Sequence, residues 1–231
     1  EFFKADVVGL SISFEDEGYY IPIIYQKNQY PDITITLDDF KAELKDLFES
    51  EDIKKTGHNL KFDILHLKKY SIDVKGIKDD SMVMSYLLHA NRRTHGLKDL
   101  TLELLNYKQV EYNELVGKDQ GLLIAVDMEQ LSHYCIDDSN LSLRLIRRME
   151  KEIDEKELRS LYETIEMPLV KILADMEYVG VKLNVAFLKE SALRFQKKIT
   201  EIEEEIYTIA GHRFNVNSSQ QLGELLFEKM N

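Results

Sequence analysis

The chain has little of several residue types that mark special classes of protein. It contains one cysteine, three prolines, ten glycines and no tryptophan among 231 residues. A single cysteine cannot form an internal disulfide, and Cys135 falls in a helical pattern, so we predict a small core residue in a reducing compartment. The low proline and glycine content excludes collagen-like and linker-like sequences. These scarcities indicate a globular protein, and we expect it to be cytoplasmic.

Long apolar runs and an excess of positive charge are also absent from the sequence. No segment approaches the ~18 consecutive apolar residues of a membrane span, and no signal-peptide pattern opens the chain. Forty-two acidic residues against thirty basic ones give a net charge of −12. This charge argues against binding of nucleic acid by bulk charge. A phosphate partner would have to meet a local basic patch or bound cations.

The first half of the sequence alternates between strand and helix patterns. Apolar residues alternate with serines over 8–14, and 19–25 returns as the second strand of a hairpin whose acidic turn, 15–18, we interpret as solvated. Helical spacing covers 37–50, and 53–56 is a short strand. Further helices are predicted over 60–70, after Asp80 as N-cap, and over 97–106. Between the last two lies a basic loop with Arg92, Arg93 and His95, which are either phosphate contacts or ordinary solvated charge.

The stretch around which this half is organised is GHNLKFD at 57–63. A strand that ends in glycine passes into a helix there, and Asn59 and Asp63 stand one turn apart on that helix. An amide and a carboxylate then face the crevice beyond the strand ends, where open α/β sheets bind ligands. A structural alternative remains open, because Asn59 is also a good N-cap and Asp63 suits the positive end of the helix.

A long helix over 128–151 carries the second acid of interest. Asp138 lies on the same face as Leu131, Leu141 and Leu145, so it sits within an apolar stripe. A carboxylate in such a place costs several kcal/mol unless it is paired or binds a cation. Tyr134, one turn earlier, could supply a hydroxyl to a structural pair. The pattern leaves both the pair and the cation site open.

Beyond residue 156 the sequence becomes helical. A helix over 162–178 is interrupted at Pro168, and Gly180 closes it. Asn184 is the predicted N-cap of a helix that ends at Gly211, with apolar residues over 188–209 at spacings of four and three. A final helix begins at residue 220. The apolar seam must pack against another surface.

The order and spacing of these motifs resemble the 3′-5′ exonuclease domain of a family A DNA polymerase, the DNA polymerase I type, followed by the start of its thumb. The matching stretches are GHNLKFD (57–63), YCIDD (134–138), EMPL (166–169), FNVNS (214–218), QLG (221–223) and LFEK (226–229). The resemblance covers nearly the whole chain. It implies an α/β, ribonuclease H-like exonuclease domain over 1–155 and an all-helical partial thumb over 156–231.

The resemblance also implies a mechanism. Two divalent ions, Mg²⁺ or Mn²⁺, would stabilise the attacking water and the leaving 3′ oxygen during hydrolysis of a phosphodiester. Asp63 and Asp138 would be metal ligands, Tyr134 would orient the water, and Asn59 would help to position the terminal nucleotide or its metals. The substrate would be a frayed single-stranded DNA 3′ end, reached from the primer-template of the parent polymerase. We expect a monomer that does not bind membranes.

One part of the family pattern is missing from the sequence. The first exonuclease motif, an Asp and a Glu separated by one residue on the first, central strand, is not present before Phe2. We hypothesise that this segment was cut, disordered or left out of the sequence. The chain should therefore bind metal poorly and hydrolyse DNA slowly or not at all. The palm motifs that carry nucleotide addition are absent as well, so we expect no polymerase activity.

Two other functions compete with a proofreading module. The domain could be a catalytically inactive scaffold or DNA-binding domain of a family A polymerase. A scaffold, however, would have no reason to keep the costly carboxylate of Asp138 on an apolar stripe. A stand-alone exonuclease of the ribonuclease D type is disfavoured by the thumb-like region from residue 166 onward.

Overall fold

A computed structural model describes residues 4–15, 17–24, 29–33, 35–117 and 122–229. The chain separates into two compact units, Glu1–Val179 and Gly180–Asn231. In the first unit the elements are β1 (Gly9–Phe14), β2 (Glu17–Pro22), α1 (Leu37–Glu49), β3 (Lys55–Gly57), α2 (Leu60–Lys69), β4 (Ile77–Asp80), α3 (Ser81–Leu88), α4 (Leu97–Leu105), α5 (Tyr112–Val116), α6 (Met128–Glu155), α7 (Arg159–Leu161) and α8 (Met167–Val179). The second unit contains α9 (Val185–Ala210) and α10 (Ser219–Glu224).

The described strands form two separate pairs. Strands β1 and β2 pair antiparallel in the register Ser11↔Tyr20, which confirms the predicted hairpin. Strands β3 and β4 pair in parallel, with Gly57 opposite Asp80. No hydrogen-bonded ladder joins the two pairs within the described ranges. The described ladders are therefore one antiparallel pair and one parallel pair.

Helix α6 lies across both strand pairs, since it packs against β1, β2 and β3. The helix approaches the hairpin closely, because a Cβ on Gly18 would stand 2.3 Å from Cγ2 of Ile136. The hydroxyls of Ser13 on β1 and Ser139 on α6 are hydrogen-bonded at 2.6 Å. These contacts fix the part of α6 that carries Asp138 relative to the hairpin.

The apolar stripe of α6 forms much of the core, as its periodicity predicts. Leu145, Met149 and Ile153 are fully buried, and they cluster with Met84 of α3 and Leu100 of α4. Burial of side chains of this size stabilises by about 1.5–3 kcal/mol each. Aspartate at position 127 caps the helix by accepting from the backbone N–H groups of residues 129 and 130. The prediction of one long helix is confirmed.

The first compact unit continues past residue 155. A π-helical turn, Tyr162–Glu166, leads into α8, which packs against α2. Proline has no N–H to give to the preceding turn, so an irregular turn just before Pro168 loses no hydrogen bond there. Lys61 of α2 forms an ion pair with Glu177 of α8. The domain boundary at residue 155 stays a prediction, while the first compact unit extends to the end of α8.

The second unit confirms the predicted ends of its long helix. The side chain of Asn184 accepts from the N–H of Phe187 at 3.0 Å, and Gly211 follows α9 in the left-handed conformation, φ 75°. The predicted apolar seam is exposed within this unit, with Phe195 60% accessible. No helix in the described ranges is both long and apolar enough to span a membrane.

Candidate active site

The loop between β3 and α2 places Asn59 and Asp63. Asn59 adopts the left-handed conformation, φ 61° and ψ 46°, at the N-cap position of α2. Its side chain makes no capping hydrogen bond, so the capping alternative for Asn59 is wrong. In asparagine this conformation is tolerated more readily than in most residues. The amide is therefore available for another role.

Asp80 caps α2 in place of Asn59. Its carboxylate accepts from the N–H groups of Asn59 at 3.0 Å and Leu60 at 2.7 Å. The same carboxylate accepts from Met82 at 2.8 Å and Val83 at 3.3 Å, which confirms Asp80 as the N-cap of α3. One side chain, only 1% exposed, thus accepts hydrogen bonds from backbone N–H groups at the N-termini of two helices.

A tyrosine from the C-terminal part of the first unit completes this arrangement. The N–H of Asp80 donates to the hydroxyl of Tyr162 at 3.0 Å, and the Tyr162 side chain is fully buried. The loop that carries Asn59 is thereby tied to β4 and to the helical segment after α6. The conformation of this loop depends on contacts that are distant in the sequence.

Asp63 lies one turn into α2 with its side chain open to solvent. Surrounding protein, followed by the charges of Asp80 and Asp138, raises the pKa of Asp63 to about 7. Water still reaches the carboxylate, which limits its desolvation. Because the charge of Asp138 contributes, the two carboxylates are within electrostatic reach of each other.

Asp138 is half-buried on α6, and its side chain is held by Gln109. The Nε2 of Gln109 donates to Oδ1 of Asp138 at 2.7 Å. Burial raises the pKa of Asp138 to about 6, against the opposing effects of the Gln109 hydrogen bond and the Lys98 charge. The structural alternative of an Asp138–Tyr134 pair is wrong, because the partner is Gln109.

Tyr134 lies on α6 one turn before Asp138. Burial and the charge of Asp138 raise the pKa of its hydroxyl to about 12, so the phenol stays neutral near pH 7. Lys98 stands 5.2 Å from the ring centroid and forms an ion pair with Glu111 at 3.3 Å. Across the part of the chain that the structure describes, no group is hydrogen-bonded to the Tyr134 hydroxyl. It remains able to bind water.

The structure separates the three residues of the basic loop. Arg92 forms two hydrogen bonds with the carboxylate of Glu103, at 2.8 and 2.5 Å. His95 is buried, bonded through Nδ1 to Ser85 at 2.8 Å, and burial together with the Arg92 charge lowers its pKa. Only Arg93 is exposed. The predicted phosphate contacts of Arg92 and His95 would require these interactions to break.

The two carboxylates fit part of a divalent-metal site. Carboxylate oxygens suit Mg²⁺ and Mn²⁺, and a cation between Asp63 and Asp138 would offset the burial and the negative charges that raise the pKa of Asp63. Within the described residues, however, no three histidine, cysteine or acidic side chains are grouped to hold a metal. Asp63 and Asp138 alone are an incomplete ligand set.

Sequence reasoning missed two residues that shape this site. Asp80 was predicted to cap α3 but not α2, and its place at the end of a strand was the available signal. Gln109 lies in the irregular segment after α4, far from Asp138 in the sequence, and no local pattern connects the two.

Comparison with known proteins supports the identification of these motifs. Residues 3–154 match the family model described as 3′-5′ exonuclease of the DNA polymerase A type. The chain belongs to the 3′-5′ exonuclease family of family A DNA polymerases. The resemblance predicted from the order and spacing of the motifs is confirmed.

Full-length relatives extend well beyond the matched region. The chain is 32% identical to DNA polymerase I of Rhizobium leguminosarum over 98% of its length, and 33% identical to that of Borreliella burgdorferi over 99%. It covers 24% and 25% of these two proteins, so it spans about a quarter of their length.

A solved structure supports the fold of the exonuclease-family chain. The polymerase domain of Pol1 from M. smegmatis, in complex with DNA primer-template and dNTP, matches with a TM-score of 0.73 and 22% identity. The match covers 98% of this chain and 35% of that one. The α/β exonuclease fold followed by helices is confirmed.

Proposed function

We propose that this exonuclease module removes nucleotides from single-stranded DNA 3′ ends by two-metal hydrolysis, as the proofreading part of a DNA polymerase I-type protein. The observation that carries the proposal is the match of residues 3–154 to the 3′-5′ exonuclease family, and Asp63 and Asp138 of its two motifs come from two different helices. Neither carboxylate belongs to an ion pair within the described residues. Two neighbouring carboxylates without a basic partner are the arrangement that divalent cations stabilise.

Each site residue has a distinct task in this proposal. When bound, the divalent ions activate water and stabilise the charge of the leaving oxygen. Asp63 and Asp138 hold the ions, and the neutral hydroxyl of Tyr134 orients the attacking water. The Asn59 amide, free of any capping bond, contacts the terminal nucleotide. Arg93 is the exposed cation of the basic loop and the candidate for a backbone phosphate.

The comparison supports DNA as substrate, whereas the net charge makes binding depend on cations. The similar Pol1 structure is described as a complex with DNA primer-template. A chain with a net charge of −12 repels polyanions over most of its surface, so productive contact with DNA depends on cations at the acidic site.

The activity of the chain itself should be weak. The family's first motif, Asp and Glu on the first strand, would add two more acids, and these are not in the sequence. The β1–β2 and β3–β4 pairs are also unjoined within the described ranges. With two acids instead of four, we propose low metal affinity and slow hydrolysis for these residues alone.

The test uses the natural protein that contains these residues, a 3′-labelled single-stranded oligonucleotide and Mg²⁺ or Mn²⁺. Asp63→Ala and Asp138→Ala should each slow shortening by more than about a hundredfold, since loss of a ligand exceeds the 10–100-fold cost of losing an outer partner. Asp137→Ala is the matched control, because the Asp137 carboxylate accepts from Tyr107 and not from Gln109. Its rate should stay within about twofold of the parent.

Two results would remove the exonuclease proposal. One is no shortening of the labelled strand by the natural protein. The other is shortening that Asp138→Ala leaves unchanged. Retained DNA binding without cleavage would instead favour an inactive DNA-binding domain, a function that the incomplete ligand set among the described residues also permits.

A further inference from the structure

We propose that Gln109 is a positioning residue of the exonuclease site, whose buried amide fixes the orientation of the Asp138 carboxylate. The inference rests on the proposed function, because it assumes that Asp138 holds a metal ion. It adds a residue outside the two sequence motifs and gives it a specific task.

The first step concerns how firmly the Gln109 amide is held. Gln109 is only 5% exposed, although it lies in a segment without regular secondary structure. Its Nε2 donates to Oδ1 of Asp138 at 2.7 Å, and its Oε1 accepts from the hydroxyl of Thr101 at 3.0 Å. Thr101 is fully buried on α4. Both ends of the amide are therefore engaged.

These partners also determine which way the amide faces. A carboxylate only accepts hydrogen bonds, so the amide nitrogen must face Asp138. The reversed amide would place two oxygens against each other in a buried setting, which costs free energy. Thr101 then supplies its hydroxyl proton to the other side, sharing it with the carbonyl of Lys98 at 3.1 Å. The amide nitrogen of Gln109 is therefore the group that faces Asp138 and donates to it.

The next step concerns what this hydrogen bond leaves available. With Oδ1 engaged by Gln109, Oδ2 of Asp138 is the oxygen without a side-chain partner in the described residues. A neutral amide orients the carboxylate without cancelling its charge. A lysine or arginine in the same place would neutralise the group and compete with a divalent ion. Lys98, the cation that influences Asp138, is itself paired with Glu111.

The test measures Mn²⁺ bound at equilibrium by the natural protein that contains these residues, using the electron paramagnetic resonance signal of free Mn²⁺. Binding at the exonuclease site is the difference between the parent and Asp138→Ala. Gln109→Met and Gln109→Leu each remove both hydrogen bonds while keeping an apolar side chain of similar size in the buried position. We expect Mn²⁺ affinity at this site to fall by about 10–100-fold in both variants.

Controls separate positioning from a general structural role. Gln130→Met changes an exposed glutamine at the start of α6 and should leave Mn²⁺ affinity unchanged. Thermal unfolding of each variant should confirm that the variant is folded at the temperature of the Mn²⁺ measurement. The oligonucleotide KM should stay near the parent value while kcat falls at fixed Mn²⁺, because Gln109 contacts the ligand residue and not DNA.

The outcomes distinguish this inference from the proposed function. If the parent and Asp138→Ala bind the same amount of Mn²⁺, Asp138 is not a ligand and both proposals fail. If Asp138→Ala loses Mn²⁺ but both Gln109 variants bind it as the parent does, the positioning role alone is overturned.

Discussion

The two carboxylates of the site are placed by different means. Asp63 is positioned through the backbone, because the carboxylate of Asp80 fixes the start of α2. No side chain in the described ranges donates a hydrogen bond to the Asp63 carboxylate. Asp138 is positioned through its side chain by the buried amide of Gln109. Loss of the Asp80 carboxylate should therefore lower stability, and loss of the Gln109 amide should weaken metal binding in a folded protein.

Asp80→Ala should produce the largest effect, a loss of stability on the Asp63 side of the site. Four backbone N–H groups would lose their acceptor in a buried place, and each unsatisfied group costs about 1–3 kcal/mol. After relaxation we expect about 4 kcal/mol or more of lost unfolding free energy, measured by urea denaturation of the chain. Asp46→Ala, on the exposed face of α1, should change it by less than about 0.5 kcal/mol. A similarly small effect of Asp80→Ala would contradict the shared-cap assignment.

Tyr134→Phe should affect the reaction and not the stability of the chain. The hydroxyl has no described hydrogen-bond partner, so its removal should change the unfolding free energy by less than about 0.5 kcal/mol. In the natural protein, hydrolysis of a labelled single strand should slow by about 10–100-fold, because the attacking water loses its orienting group. Tyr107→Phe, which removes the hydroxyl bonded to Asp137, is the control. Equal rates for Tyr134→Phe and the parent would exclude Tyr134 from the reaction.

Asp63→Asn gives the smallest expected effect and tests the burial and the repulsion from Asp80 and Asp138 that raise the pKa of Asp63. The ordinary pKa of the group is 3.8 and the folded value is about 7, so the folded chain binds more protons between these values. Stability therefore falls as the pH rises from about 4 to 7. Without divalent metal, Asp63→Asn should add about 1 kcal/mol at pH 8 after solvent screening, and almost nothing at pH 4. Urea denaturation in chelator at both values measures this.

The comparison with Asp138 makes that last experiment more specific. Asp138→Asn would also remove negative charge, but it would weaken the hydrogen bond from Gln109. It should therefore stabilise less at pH 8 than Asp63→Asn. A larger gain from Asp138→Asn would show that repulsion, and not the amide contact, dominates at that residue.

Periodicity predicted those parts of the molecule that depend on local pattern. The stripe of α6 and the position of Asp138 within it followed from helical spacing, and the hairpin followed from alternation. The order and spacing of the motifs at 57–63 and 134–138, together with the stretches from 166 to 229, predicted the family. These features share one property, because each is encoded in residues that are close together in the sequence.

Features set by distant contacts could not be predicted. Asn59 has the residue type of an N-cap, yet Asp80 takes that role because parallel pairing brings β4 beside β3. His95 was predicted to be a phosphate contact or a solvated charge of the basic loop, but it is buried, bonded to Ser85 and stacked on the ring of Tyr86. Gln109 carried no signal, since an isolated polar residue after a helix is typical of a surface loop.

The shared cap has a consequence for how the first unit assembles. The carboxylate that completes the start of α2 lies 20 residues or more further along the chain than the amides it accepts from. Helix α2 cannot finish its first turn by local folding, because its anion arrives only when the neighbouring strand docks. Helical and strand structure in this region are therefore expected to appear together, in one cooperative step, with neither persisting as an isolated early element.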